Sequence, residues 1–227
     1  MGSVRENLRR VREGIAEAAL RSGRRPEEVK LIGATKGVPP ERILEAVEAG
    51  LDTIGENYVQ EAQRKYEVIG DRVKWHMIGR LQSNKAKHAV RLFEVIHSLS
   101  SLKLAQELQK RAQKEGRRIR VLVQVNLSGE ETKAGVSPEG LPELIRAAVG
   151  MPNLEVLGLM TMPPYSEDPE DSRPFFRRLR ELRDRLAEGG IILRELSMGM
   201  SNDYKVAVEE GATMVRIGTA IFGPRGR

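Results

Sequence analysis

Apolar positions recur along the N-terminus with the period of a helix. Val4, Leu8, Val11, Ile15 and Ala18 fall on one face of residues 3–22, Ser3 and Glu6 have the spacing of a capping box, and Gly23 and Pro26 end the pattern. Past Pro26 the rhythm changes, and short β-like runs alternate with helical stretches. The runs predict strands near residues 30–35, 52–55, 74–78, 94–97, 120–126, 155–160, 194–197 and 213–217. Helical patterns separate them, among them Glu41 to Ala49, Leu102 to Lys114, Leu141 to Val149, Phe175 to Leu186 and Tyr204 to Glu210. Strands alternating with helices in this way imply a parallel sheet. Their number predicts a single closed (β/α)₈ TIM barrel spanning residues 1–227, with the N-terminal helix added ahead of the first strand.

An internal echo fits repeated units. Residues 48–55 (EAGLDTIG) resemble residues 209–215 (EEGATMV), and in both a helix ends on glycine shortly before a strand begins. The acidic, proline-containing segment from Pro163 to Asp171 reads as the longest irregular stretch, a solvated connection rather than a mobile flap.

Composition narrows the function. With no cysteine among 227 residues, disulfides, thiolate catalysis and sulfur-bound metals are excluded. His76, His88 and His97 show no paired ligand spacing, so no metal site is expected. No apolar run reaches the roughly 18 residues of a membrane span, and the charged N-terminus is not a signal core, so a cytoplasmic protein is expected. The net charge of +6 suits a polyanion or a phosphorylated small molecule. Because the arginines interleave with acidic residues and aromatics are only 4%, solvated helix faces account for the charge better than a nucleic-acid groove.

Two places carry chemistry. Lys36 follows the apolar run Leu31-Ile32-Gly33-Ala34 and precedes Gly37-Val38-Pro39-Pro40, so its amine stands at the carboxyl end of the first strand, where barrel enzymes keep their reactive groups. Such an amine condenses with an aldehyde, although a lysine snorkelling from a strand end fits this segment equally well. The second place is the pair of loops after strands seven and eight. Ser201, within residues 197–203 (SMGMSND), is placed as the N-cap of the next helix, and Gly218 and Thr219 follow Arg216-Ile217 on the neighbouring loop. Loops at these two positions of a barrel commonly bind phosphate. An aldehyde-capturing lysine and a phosphate cradle describe the two ends of pyridoxal 5′-phosphate (PLP).

The chain resembles the pyridoxal-phosphate homeostasis proteins, small cofactor-binding barrels similar to the N-terminal domain of bacterial alanine racemases. The resemblance covers nearly the whole length through ATK at 34–36, GENYVQE at 55–61, WHMIGRLQSNK at 75–85, VNLSGEETKAG at 125–135, GLMTM at 158–162, SMGMSNDY at 197–204 and VRIGTAIFG at 215–223. It implies that Lys36 holds PLP as a Schiff base and that Ser201, Gly218 and Thr219 bind its phosphate. Asn57 looks like a polar contact at the cofactor edge, with a turn or helix cap as the competing role. Arg216 looks like the partner of the pyridine nitrogen. A guanidinium is charged and only donates hydrogen bonds, so it keeps that nitrogen unprotonated and the ring a poor electron sink.

Alanine racemases also present this arginine but add a tyrosine base from a further domain, which this chain, ending at Arg227, is expected to lack. Tyr58, Tyr66, Tyr165 and Tyr204 read as surface or loop residues. The resemblance therefore implies a protein that buffers or delivers PLP, with PLP-dependent apoenzymes as recipients, no nucleic-acid or membrane partner, and a monomeric state. A PLP-dependent amino-acid racemase is the alternative, and a barrel binding a sugar phosphate or nucleotide without aldehyde chemistry is a third. Lys133 matches a family lysine implicated in cofactor transfer, while the tail Pro224-Arg225-Gly226-Arg227 offers no amine for an imine. His76 is placed near the barrel mouth, within reach of a cofactor oxygen or packed in the strand layer. Arg80, Gln82, Asn84 and Lys85 form a polar cluster suited to a second ligand or to ordinary capping.

Overall fold

In the computed structural model, which describes residues 2–130 and 134–224, the eight predicted strands close on themselves in chain order. Helix α1 (Val4–Arg21) comes first. The repeating units then run β1 (Lys30–Ala34), α2 (Pro40–Glu48), β2 (Thr53–Glu56), α3 (Val59–Ile69), β3 (Lys74–Met77), α4 (Ala86–Leu92), β4 (Val95–Leu99) and α5 (Leu102–Lys114). The second half runs β5 (Ile119–Gln124), α6 (Leu141–Val149), β6 (Leu154–Met160), α7 (Arg173–Glu188), β7 (Glu195–Ser197), α8 (Tyr204–Glu209), β8 (Met214–Ile217) and α9 (Thr219–Phe222). All pairings are parallel, and β1 closes the barrel on β8 in a register running from Lys30 opposite Met214 to Gly33 opposite Ile217. This is the expected (β/α)₈ architecture, with strand ends within a residue or two of the predicted ones.

Two apolar layers result from strand alternation. The larger core lies between sheet and helices and holds residues such as Ile43, Ile54, Phe93, Leu108 and Phe176. A separate cluster joins Ile32, Val95, Leu122, Met160 and Met214 from five strands, which meet only across the barrel interior. Side chains two residues along a strand share a face, so Arg216 points inward with Met214, and Thr35 falls on the opposite face from Ala34.

The capping box of α1 is formed: Glu6 N–H donates to Ser3 Oγ and Ser3 N–H to Glu6 Oε2. The helix packs along α2, α8 and α9, and Asn7 Nδ2 donates to the carbonyl of Ile221 over 2.9 Å. The internal echo is real in backbone terms. Gly50 and Gly211 take positive φ of 93° and 103°, and each returns its N–H to the last turn of its helix, at Val47 and Val208. That conformation is strained for any residue with a Cβ.

Two expectations are corrected. The acidic segment from Pro163 to Asp171 is not irregular throughout, because Pro169–Ser172 forms a turn of 3₁₀ helix inside it. The arginines of α7 are also more than a solvated face, since Arg173, Arg177 and Arg180 converge on the buried Glu210 carboxylate at 3.1, 3.2 and 3.1 Å, tying α7 to the end of α8. Among the described residues no helix is long and apolar enough to cross a membrane. No cluster of three or more His, Cys, Asp or Glu that could hold a metal is present among them either.

Candidate functional site

Lys36 lies in the turn that follows β1, half-buried, with its amine 5.2 Å from the centre of the Tyr58 ring. That distance allows a cation–π attraction. Tyr58 is exposed, as expected of a loop residue, yet its ring faces the Lys36 amine.

Both neighbours of Lys36 are pinned by a network that sequence reasoning missed. Thr35 Oγ1 donates to Glu56 Oε1 over 2.6 Å. The Lys65 amine donates to the Thr35 carbonyl at 2.6 Å, to Glu56 Oε1 at 2.6 Å and to Glu61 Oε1 at 2.7 Å. Glu61 in turn accepts the Gly37 N–H at 2.7 Å, and Gly37 has a φ of 70° that suits glycine. Glu56 and Lys65 are both buried, and burial raises the Glu56 pKa against the opposing pull of Lys65 and Thr35. Among the described residues Glu56 Oε2 has no hydrogen-bond partner. Both glutamates lie within GENYVQE, but a charge pattern does not distinguish a buried ion pair from a solvated one.

Across the mouth, the loops after β7 and β8 are held by their own polar groups. Ser201 does not cap the next helix. Asp203 occupies the N-cap position of α8, and its carboxylate accepts from Met200 N–H at 2.7 Å and Ser172 Oγ at 2.9 Å. Ser201 Oγ instead accepts the Ala220 N–H at 3.2 Å, stitching the two loops together, and Arg216 N–H donates to the Gly199 carbonyl at 3.0 Å. Among the described residues, the N–H groups of Ser201, Gly218 and Thr219 have no protein acceptor. Such amides suit an anion. A Cβ on Gly218 would stand 3.1 Å from the Ala34 carbonyl, so this loop packs directly on the end of β1, two residues before Lys36.

Arg216 is buried inside the barrel. Burial lowers its pKa to about 10, with Asp203 opposing, so it remains charged at neutral pH. Nη1 donates to Ser197 Oγ at 2.5 Å and Nη2 to the Thr161 carbonyl at 3.0 Å. From Ser197 a polar chain continues: Oγ lies 2.8 Å from His97 Nδ1, and His97 Nε2 lies 2.9 Å from His76 Nδ1. His76 is thus packed in the strand layer and is not at the mouth. It lines a cavity with Lys30 and Lys74, which begin their strands at the opposite end of the barrel. Burial holds both histidines neutral, lowering His76 to about 3, with Lys30, Lys74 and Arg120 adding to the effect, and His97 well below its ordinary value.

Asn57 sits half-buried between β2 and α3, and its side chain has no hydrogen bond among the described residues, so it is not the cap of α3. The chain after β3 packs tightly here, since a Cβ on Gly79 would lie 2.4 Å from the Asn57 carbonyl oxygen. Asn57, Tyr58, Arg80, Gln82 and Lys85 line a cavity of about 390 Å³, and no side chain caps the helical turn Ser83–Lys85 or α4. Capping therefore does not account for that polar cluster. Lys133, Arg225, Gly226 and Arg227 lie outside the described residues.

The alanine racemase N-terminal domain model matches residues 2–226. The pyridoxal phosphate homeostasis protein of Aquifex aeolicus is 54% identical over 222 residues, covering 97% of each chain. PipY of Synechococcus elongatus PCC7942, solved with PLP bound, superposes with a TM-score of 0.82 at 39% identity, covering 92% of this chain and 100% of that one. The alanine racemase of Clostridium difficile 630 shares the fold with a TM-score of 0.75 at 18% identity, this chain covering 58% of it. The chain belongs to the pyridoxal phosphate homeostasis protein family, built on the alanine racemase N-terminal domain.

Proposed function

We propose that this protein, a single barrel domain over residues 1–227, binds PLP covalently through Lys36 and serves its intracellular homeostasis by buffering or delivery, without a robust catalytic cycle. The observation that carries the reading is the shared rim: Gly218 rests against Ala34, so the acceptor-free amides of Ser201, Gly218 and Thr219 and the amine of Lys36 open on the same end of the barrel. PLP supplies an aldehyde to an amine and an electron-withdrawing ring to whatever is attached there.

The protein's own residues do the rest. Thr35 and Gly37, clamped by Glu56, Lys65 and Glu61, fix the backbone that presents Lys36. The three amides and the Thr219 hydroxyl supply donors to a phosphate, and Asn57 supplies a free amide group. Arg216, charged and donor-only, is assigned to the ring nitrogen, where it offers no proton-accepting partner and so disfavours carbanion chemistry. Recipients are PLP-dependent apoenzymes, and the protein works as a cytoplasmic monomer.

Purified protein is expected to show an absorption band near the imine wavelength that borohydride abolishes, with the reduced label mapping to Lys36 and absent in Lys36→Ala. A colourless, unlabelled protein overturns the reading. Saturating alanine in deuterated water is expected to give no sustained exchange at the α-carbon, and rapid exchange lost in Lys36→Ala makes the protein a racemase.

A further inference from the structure

The amino-terminal end of the barrel holds a cavity of about 560 Å³, on the far side of the interior from Lys36. Four cations line it, Lys30, Lys74, Arg120 and Arg194, against three carboxylates, Glu94, Glu155 and Glu195. Two of the carboxylates are engaged: Glu155 lies 3.6 Å from Arg120, and Glu195 accepts the Thr213 hydroxyl at 2.5 Å. Lys30, Lys74 and Arg194 have no ion pair among the described residues. At the cavity's inner wall stands His76, only 1% exposed, whose Nδ1 faces His97. Its Nε2 has no protein partner among the described residues, and it is absent from the buried atoms that are sealed off without one.

The proton on that nitrogen follows from the other end of the chain. Arg216 only donates, so Ser197 Oγ accepts from it, and the Ser197 hydroxyl proton finds its acceptor in His97 Nδ1. His97 is neutral and therefore carries its proton on Nε2, which donates to His76 Nδ1. That leaves neutral His76 with its proton on Nε2, directed at the cavity. The floor of the cavity is thus a fixed donor, and its rim carries unpaired ammonium and guanidinium groups.

We propose that this end of the barrel is a second binding site, for a small multivalent oxyanion, a phosphate monoester or a polycarboxylate, received by His76 Nε2–H and by the amines of Lys30 and Lys74.

Histidine-selective ¹⁵N labelling of the full-length, cofactor-free protein tests it, with inorganic phosphate and citrate titrated separately. The His76 signals are expected to report the Nε2–H tautomer and to shift saturably while the exposed His88 does not. Saturation by phosphate alone identifies a phosphate ligand, and saturation by citrate alone a polycarboxylate. Lys30 and Lys74 are exposed, so Lys30→Ala with Lys74→Ala is expected to leave the fold intact and weaken binding about tenfold. The response should persist after PLP has been fixed on Lys36 with borohydride, which fills the upper cradle. Failure of that fixation bears on the proposed function alone, because the cofactor-free titration stands without it. The opposite His76 tautomer, no saturable shift, an equal shift at His88, or unchanged affinity in the double variant overturns the proposal.

Discussion

The two sides of the barrel mouth are built from different materials. On the β1–β2 side, side chains hold the Lys36 turn: a buried lysine gathers two glutamates and a carbonyl, and through them Thr35 and Gly37 are fixed around Lys36. On the β7–β8 side the proposed binding groups are main-chain amides, and side chains serve as stitching between loops. Ionic positioning is strong and fragile, because removing one partner strands another charge in low dielectric. Backbone positioning spreads its dependence over the fold itself, and no single side chain carries it.

Lys65→Met puts the contrast under the greatest load. It leaves Glu56 buried with no cation and releases both anchors of the Lys36 turn, so denaturant unfolding at neutral pH is expected to show a loss of about 3 to 5 kcal/mol. The yield of reducible PLP on Lys36 should fall with it. Adding Glu56→Gln should recover part of the stability. A loss below about 1 kcal/mol, the worth of an exposed ion pair, would mean that the network is ornamental and that the two sides do not differ.

The histidine chain behind Arg216 sharpens the comparison on the amide side. His76 and His97 have folded-state pKa values below their ordinary 6.5, so the unfolded chain takes up protons first as pH falls. Stability is therefore fully present above about pH 6.5 and declines below it by about 1.4 kcal/mol per pH unit for each histidine, with His76 levelling off only near 3. Glu56 works in the opposite sense, its raised pKa favouring proton uptake by the folded state as pH approaches the ordinary carboxylate value of 4.5. Urea unfolding from pH 7 to 4.5 in parent and His97→Gln isolates the histidine share. The variant is expected to lose about one histidine's slope, and identical slopes would show that His97 is not held neutral in the fold.

Most of the architecture was legible because it is written in periodicity. The α1 stripe, the eight apolar runs and the glycine-ended helices at Gly50 and Gly211 are local signals, and the barrel follows from their alternation. The strand-end positions of Lys36, Gly218 and Thr219 were legible for a related reason, since they are a consequence of order along the chain. What escaped depends on partners distant in sequence. His76 and His97 look scattered until β3 and β4 lie side by side with both rings on the inner face. Lys65 looks like any solvated helix lysine until α3 packs over the end of β1. Ser201 has the residue type of a cap, but Asp203, two positions on, takes that place, and the serine hydroxyl turns to Ala220.

Ser201→Ala is expected to have the smallest effect and is for that reason the most discriminating test of the backbone side. It removes one partly exposed hydrogen bond, the 3.2 Å tie to Ala220 N–H, which is worth about 1 kcal/mol, and it leaves the amides of residues 201, 218 and 219 where the strands put them. Thermal stability should be almost unchanged. The affinity for PLP should drop only several-fold, on the order of the factor that 1 kcal/mol represents, because one hydroxyl is lost from a cradle made chiefly of N–H groups. Gly218→Ala, by contrast, adds a Cβ 3.1 Å from the Ala34 carbonyl and separates the two sides of the mouth directly, so it should weaken PLP binding more than Ser201→Ala does. If the serine variant loses binding as completely as Lys36→Ala, the anion is held by a side chain after all, and the division between an ionic wall and a backbone wall fails.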